Sequence, residues 1–408
     1  MKFRKILLLA LALAVLSGCG GKEDGWMRPE NATLSDAILY TLEDGELRYN
    51  VTCSGNIKGA VITDESGSGI DSPEELGEIL GIADVPNPKT GTDPGERTLG
   101  MAVTADIRTG KGGKITELTV KSVAQRPVIG ISWKSDQIGE DYQNFAQALE
   151  RNGALAVYLP LLISEDHGAM VLSQIDGLFV TGGEDWNPKL YGQEPMAHGS
   201  VDCNDIRDAS DLFLIREALR MDIPMLTVCR GTQGLNIALG GSLIQDVPTY
   251  LGEKVREGSI SESRVSEVLS EGGCGCEGEQ HYRVQIDGLN HEKSGKYHSI
   301  LGDISPNSKW LYDIFGTDSL EHVSTAHHQA LNPEALGEGL TVVAVSSDGI
   351  IEAVEYRQNL FVLGLQWHPE KDALADTQGI DVSQDDSNKP LRALVMYAAK
   401  SKNKKTGR

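Results

Sequence analysis

Pro224-Met-Leu-Thr-Val-Cys229-Arg-Gly-Thr-Gln233-Gly sets the architecture of this chain. Four residues with no charge, Met225 to Val228, read as a strand buried on both faces. The strand ends on a cysteine, and the Arg-Gly-Thr-Gln continuation reads as the start of a helix. A side chain on such a turn is held out from the end of a sheet. The new helix N-terminus places unpaired N–H groups beside it. Those groups and the helix dipole favour thiolate over thiol.

The same texture recurs earlier in the chain. Pro127 to Ser132, Ala154 to Leu159 and Gly177 to Thr181 are short apolar runs, and Tyr142 to Asn152 has helical spacing with Phe145, Ala148 and Leu149 on one face. Strands of this kind separated by helices suit right-handed crossovers in a doubly wound, mostly parallel α/β sheet. In such a sheet the site lies beyond the carboxyl ends of the strands. Cys229, Gly182-Gly183 and His368 each come directly after a strand run.

The partner of Cys229 is expected in Phe361-Val-Leu-Gly-Leu-Gln-Trp-His368-Pro-Glu370. Read as a strand end, this stretch puts His368 and Glu370 on one side, because residues i and i+2 of extended backbone face alike. Glu370 then orients His368, and His368 takes the proton of Cys229, as in covalent acyl transfer.

Cys-Arg-Gly-x-Gln followed at a distance by Gln-Trp-His-Pro-Glu resembles the class I glutamine amidotransferase-like superfamily. More narrowly it resembles the gamma-glutamyl hydrolases, including gamma-glutamyl-gamma-aminobutyrate hydrolase. Asp176-Gly-Leu-Phe-Val-Thr-Gly182-Gly183-Glu-Asp185, Gly240-Gly-Ser-Leu-Ile-Gln-Asp246, His327-His328-Gln-Ala and Asp348-Gly-Ile-Ile-Glu352 extend the match in order. The resemblance implies a Cys229–His368–Glu370 triad and an oxyanion hole from the backbone of Gly183 and Arg230. It also implies a substrate pocket touched by Gly182, Gln233 and His328. Asp185, Tyr191 and Glu352 match family positions and read as architecture. The implied reaction cleaves gamma-glutamyl amides or small gamma-glutamyl peptides, with no metal and no organic cofactor. A glutaminase or amidotransferase subunit with a separate partner, and a binding lipoprotein on a retired enzyme fold, are the competing readings.

The 408 residues, 40% hydrophobic, suffice for one large or two modest domains. The net charge of −22 argues against a nucleic-acid partner, since phosphate neutralisation needs a basic surface. A homodimer is compatible with it. Met1-Lys-Phe-Arg-Lys followed by the apolar run Ile6 to Leu16 reads as a signal peptide over 1–18. Leu16-Ser-Gly-Cys19 resembles a bacterial lipobox, which implies lipid on Cys19 and a place in the cell envelope, on the periplasmic face or the surface of the outer membrane. Lys22-Glu-Asp24 matches a surface-export signal and reads equally as exposed linker charge.

Residues 19–45 read as a tether leading into a short helix or loop, and 46–123 as a small α+β accessory domain. Its expected strands are Glu46 to Cys53, Gly59 to Thr63 and a hairpin of Thr98 to Arg108 with Lys114 to Val123; Asp71 to Leu80 carries a helix-start pattern. The end of this module resembles flavin-binding lipoprotein modules but lacks their threonine attachment motif, so flavin is not expected. The hydrolase domain is expected over 126–400. Within it, 252–280 forms an enlarged loop, with Glu253 to Leu269 weakly helical. Residues 401–408 read as a basic, unstructured tail. Cys53, Cys203, Cys274 and Cys276 are left for disulfides in any of three connectivities.

Overall fold

A computed structural model describes residues 127–133, 143–159, 161, 165–196, 202–269, 282–291, 297–300, 304–374 and 383–406, and ahead of them the backbone of seven strands. Among the described residues, the central sheet has seven strands. They are β1 Val128–Ile131, β2 Leu155–Tyr158, β3 Gly177–Val180, β4 Met225–Val228, β5 Leu340–Val345, β6 Ile351–Tyr356 and β7 Val362–Leu365, in the order β5-β6-β7-β4-β3-β1-β2. The five strands from β7 to β2 run parallel, and β6 and β5 add an antiparallel edge. The expected doubly wound, mostly parallel α/β sheet is therefore the fold. The four expected strand runs fall on β1 to β4, every residue of which is buried, as parallel strands covered by helices require.

Among the described residues the α-helices are α1 Gln143–Arg151, α2 Glu165–Ser173, α3 Asp205–Arg220, α4 Arg230–Ala238, α5 Val247–Arg256, α6 Leu311–Phe315, α7 Pro369–Ala373 and α8 Gln384–Thr406. Two starts are fixed by local chemistry. Asn204 Oδ1 caps α3 by accepting from the N–H of Arg207 at 3.1 Å, and Asp246 Oδ2 caps α5 by accepting from Thr249 at 3.0 Å.

Register sets the site. Thr227 pairs with Val180 on one side, and Val228 pairs with Leu365 on the other. The carboxyl ends of β3, β4 and β7 are thus level and adjacent. The residues just past each of these strands must emerge at the same edge of the sheet. The N–H of Cys229 still donates to the carbonyl of Leu365 at 2.8 Å, and Thr232 Oγ1 donates to that same carbonyl at 2.7 Å.

Several expectations need correction. The C-terminal tail is not unstructured through 401–408: α8 continues to Thr406, and Lys402 Nζ lies 3.7 Å from Asp176 Oδ2. Residues 253–269 are not one weak helix. Helix α5 ends at Arg256, and Val265–Val268 forms an antiparallel hairpin with Val284–Ile286. Cys203 is a free thiol. Cys53, Cys274 and Cys276 lie outside the described residues, as does the helix expected over 71–80.

Ahead of the main sheet, Thr33–Glu43, within the segment expected as a tether, is a strand that pairs antiparallel with Glu46–Thr52 and with Arg97–Thr109. Arg97–Thr109 forms the expected hairpin with Ile115–Val120, which pairs in parallel with Val61–Thr63. Leu11–Leu13, inside the apolar run Ile6 to Leu16, pairs with Leu34–Asp36. Among the described residues, no helix is long and apolar enough to cross a membrane.

Candidate active site

Cys229 occupies the sharp elbow between β4 and α4, with φ 49° and ψ −112°. A non-glycine residue there carries about 1–3 kcal/mol of strain, which the sheet register and the helix start impose together. Gly231 makes the elbow feasible. A Cβ at that position would sit 2.4 Å from the carbonyl oxygen of Val180, so only hydrogen lets α4 close down on β3. The carbonyl of Cys229 accepts from Thr232 and Gln233. The N–H of Arg230, at the first helical position, has no acceptor within the helix.

His368 reaches Cys229 from the end of β7. Its backbone N–H donates to the carbonyl of Ser324 at 2.8 Å, and its Nδ1 lies 2.7 Å from Glu370 Oε1. Glu370 does not reach the ring by strand alternation. Pro369 begins α7 immediately after His368, and Glu370 sits in the first turn of that helix, where its charge also suits the dipole. The two residues still meet, through a turn and not through extended backbone.

Cys229, His368 and Glu370 are all buried. Burial acts to discharge the His368 ring, but the Glu370 carboxylate and the Cys229 sulfur outweigh it and raise the imidazole from 6.5 to about 9. At neutral pH the ring therefore holds its proton, which is the state needed to protonate a departing amine. A histidine raised in this way adds stability that is fully present below pH 6.5 and is lost as pH climbs through about 9. We expect the wild-type melting temperature to fall across that window more than that of Glu370→Gln, measured by scanning calorimetry from about pH 6 to 10. Parallel curves would remove the pair as the cause.

Gly182 lines the junction. A Cβ there would stand 2.6 Å from His368 Cε1 and 3.4 Å from Cys229 Cβ. One small position thus touches both candidate catalytic side chains. At Gly183, φ is 149°, and the space a side chain would take is filled by the Arg207 guanidinium. Arg207 Nη2 donates to the carbonyl of Gly182 at 2.7 Å and to Thr181 Oγ1 at 3.0 Å.

Arg230 divides its roles. Its backbone starts α4 beside Cys229, while its buried guanidinium turns away to pair with Asp208 and Asp211. The guanidinium carbon lies 3.9 Å from the Trp186 ring centroid, and Trp186 Nε1 donates to the Arg230 carbonyl at 2.8 Å. Arg207 joins the same cluster through Asp211 and Glu184. This buried network clamps α3, α4 and the loop after β3 together. The residues from α3 were not picked out by sequence reading. Their signal was Arg207-Asp208 with Asp211 one turn on, charges on a helix face that should otherwise pack inward.

Gln233 and His328 are placed less directly. Gln233 Nε2 donates to the carbonyl of Gln329 at 2.9 Å, which ties α4 to the loop after the strand Leu320–Ser324. The His328 ring is held between two carboxylates, with Nε2 at 3.1 Å from Asp185 and Nδ1 at 3.5 Å from Asp246. Bonds from His328, Thr249 and Arg283 hold the Asp246 carboxyl below the usual carboxylate range, against the opposing effect of its burial.

A mostly parallel α/β sheet with a cysteine elbow at one strand end and a His–Glu pair at the next is the arrangement of a glutamine amidotransferase-like domain. The Peptidase C26 family profile matches residues 127–370, and the chain belongs to that family. A Mycobacterium tuberculosis protein carrying the provisional name glutamine amidotransferase is 32% identical over 259 residues, 61% of this chain and 71% of that one. Protein NtpR of Enterococcus hirae is 31% identical over 255 residues, 60% of this chain and 91% of that one. The gamma-glutamyl-gamma-aminobutyrate hydrolase PuuD of Escherichia coli is 27% identical over 261 residues, 62% of this chain and 88% of that one.

Proposed function

We propose that the protein hydrolyses the gamma-amide bond of gamma-glutamyl amines or small gamma-glutamyl peptides. The observation that carries this reading is the elbow cysteine packed with a buried histidine whose far nitrogen is held 2.7 Å from a carboxylate. Cys229 Sγ attacks the side-chain carbonyl carbon, and the oxygen takes negative charge. The N–H groups of Gly183 and Arg230 stabilise that oxyanion. As the C–N bond breaks, His368 gives its proton to the nitrogen, and the amine departs, leaving a thioester on Cys229. Water then loses a proton to His368 and attacks the thioester, releasing glutamate. Glu370 keeps the ring in register and offsets its charge at both steps. In this reading Gly182, Gln233 and His328 would border the bound substrate, with the His328 ring held between Asp185 and Asp246.

Turnover of a panel of gamma-glutamyl amines, gamma-glutamyl dipeptides and free glutamine tests the reading. Higher kcat/KM on the substituted amides than on glutamine supports it. Glutamine as the best substrate, with activity rising on addition of an envelope protein, would favour an amidotransferase subunit instead. We further propose that Cys19 is lipidated and that the protein works in the cell envelope, on the strength of Leu16-Ser-Gly-Cys19 after an apolar run. Cleavage before Cys19 would remove the strand Leu11–Leu13. Palmitate labelling that persists unchanged in Cys19→Ser would defeat this.

A further inference from the structure

Three buried donors that take no part in the proposed hydrolysis converge from separate parts of the chain. His291 comes after the hairpin strand Val284–Ile286, His327 lies in the loop after Leu320–Ser324, and Glu352 lies on β6. All three are at most 2% exposed, and one ligand atom from each falls within 4.8 Å of the others. We propose that His291, His327 and Glu352 bind one divalent transition-metal cation of the zinc type.

The hydrogen bonds on the far side of each ring set up this arrangement. His327 Nδ1 lies 3.0 Å from the carbonyl oxygen of Gln329. A carbonyl only accepts, so Nδ1 bears the proton and Nε2 of the neutral ring carries the lone pair. That Nε2 faces Glu352 Oε1 at 3.7 Å, beyond hydrogen-bond distance but close to the spacing of about 3.4 Å that two ligands of a tetrahedral zinc adopt. His291 Nε2 lies 2.6 Å from Asp348 Oδ2, which places its proton there and leaves the Nδ1 lone pair as the ligand. A carboxylate or carbonyl behind each imidazole is the usual outer support of a histidine–metal bond.

Charge points the same way. Two carboxylates, Glu352 and Asp348, are fully or nearly fully buried beside two imidazoles. With both rings neutral, a dication balances the cluster. The surroundings can also take a water in the fourth position. Gln366 is opposite Glu352 across the β6–β7 ladder, its N–H donating to the Glu352 carbonyl at 2.7 Å. Both polar atoms of the Gln366 side chain, and Thr325 Oγ1, are buried without a hydrogen-bond partner among the described residues. Such groups are the normal neighbours of internal water. The cation would pin the hairpin of Val265–Val268 and Val284–Ile286 to the central sheet. Its role is to stabilise that connection, and no step of hydrolysis passes through it.

The test is elemental analysis by ICP-MS of the untagged full chain, purified without chelators. About one equivalent of zinc-type metal per chain is expected. His291→Gln and Glu352→Gln should each lose at least about nine-tenths of it, because a site of three protein ligands rarely holds metal on two. Cys229→Ala should keep it, which separates this site from metal captured by the catalytic thiol. Treatment with dipicolinate should lower the melting temperature, and added zinc should restore it. Cobalt substitution should give visible absorption of tetrahedral character in wild type and not in His291→Gln. Should Glu352→Gln fail to fold, His291→Gln and the cobalt spectrum decide. Metal-free protein whose melting temperature ignores added zinc overturns the proposal. So does metal retained in His291→Gln.

Discussion

Cys229→Ala should fold and melt like the wild type yet lose hydrolysis of a gamma-glutamyl anilide by about four orders of magnitude or more. Alanine keeps the Cβ that the elbow at φ 49° already accommodates, so the backbone strain is unchanged. What disappears is the sulfur that would form the thioester. Water cannot take over that role at a comparable rate, because the site then lacks a covalent route and a positioned nucleophile. Any residual turnover would come from substrate binding and the two oxyanion donors alone. The measurement is kcat/KM by release of the aniline, with circular dichroism as the check on folding. Turnover within about tenfold of wild type would take Cys229 out of the chemistry and leave the site without a nucleophile.

Gly182→Ala should be the second most damaging single change, at about a hundredfold loss in kcat. The added Cβ would lie 2.6 Å from His368 Cε1, closer than carbon atoms approach without bonding. Either the ring or the loop after β3 must move. The ring is held from behind by Glu370 and at its backbone by Ser324, so relief comes at the expense of the line from sulfur to imidazole. Stability should fall as well, by about 1–3 kcal/mol, because Gly182 is buried and the added carbon overpacks its surroundings. A misplaced imidazole would also weaken the coupling that lifts it to about 9, so the alkaline limb of the pH–rate profile should shift toward lower pH. Wild-type kcat in Gly182→Ala, with an unshifted profile, would show that His368 does not act where the structure places it.

Much of this arrangement can be read along the chain because its determinants are local. Met225 to Val228 is apolar for the length of one buried strand, and the cysteine and the helix start follow it directly in the chain. Gly182 and Gly183 are visible as a pair past β3, but what requires them is distant in sequence: the His368 ring beside one and the Arg207 guanidinium beside the other. The His368–Glu370 pairing was legible as a pair but not as a geometry. Two residues apart suggests extended backbone, whereas Pro369, with its fixed φ, starts a helix there. Helix α8 escaped notice through 401–406 because its Lys- and Asn-rich end carries no apolar period, and the helix there simply continues from the packed segment before it.

Residue order alone settles which strands are buried, where the chain turns at Cys229, and which residue types stand past each strand end, since each depends on neighbours within a few positions. Three-dimensional packing was needed for the rest. It brings Arg207, Asp208 and Asp211 of α3 to hold the loop after β3 and Arg230, sets His328 between Asp185 and Asp246, and carries His291 to His327 and Glu352. Most of those partners lie tens of residues apart. A charged or imidazole side chain gains a specific partner only when sheet register and helix packing exclude water and bring the two into contact. No local pattern encodes that meeting.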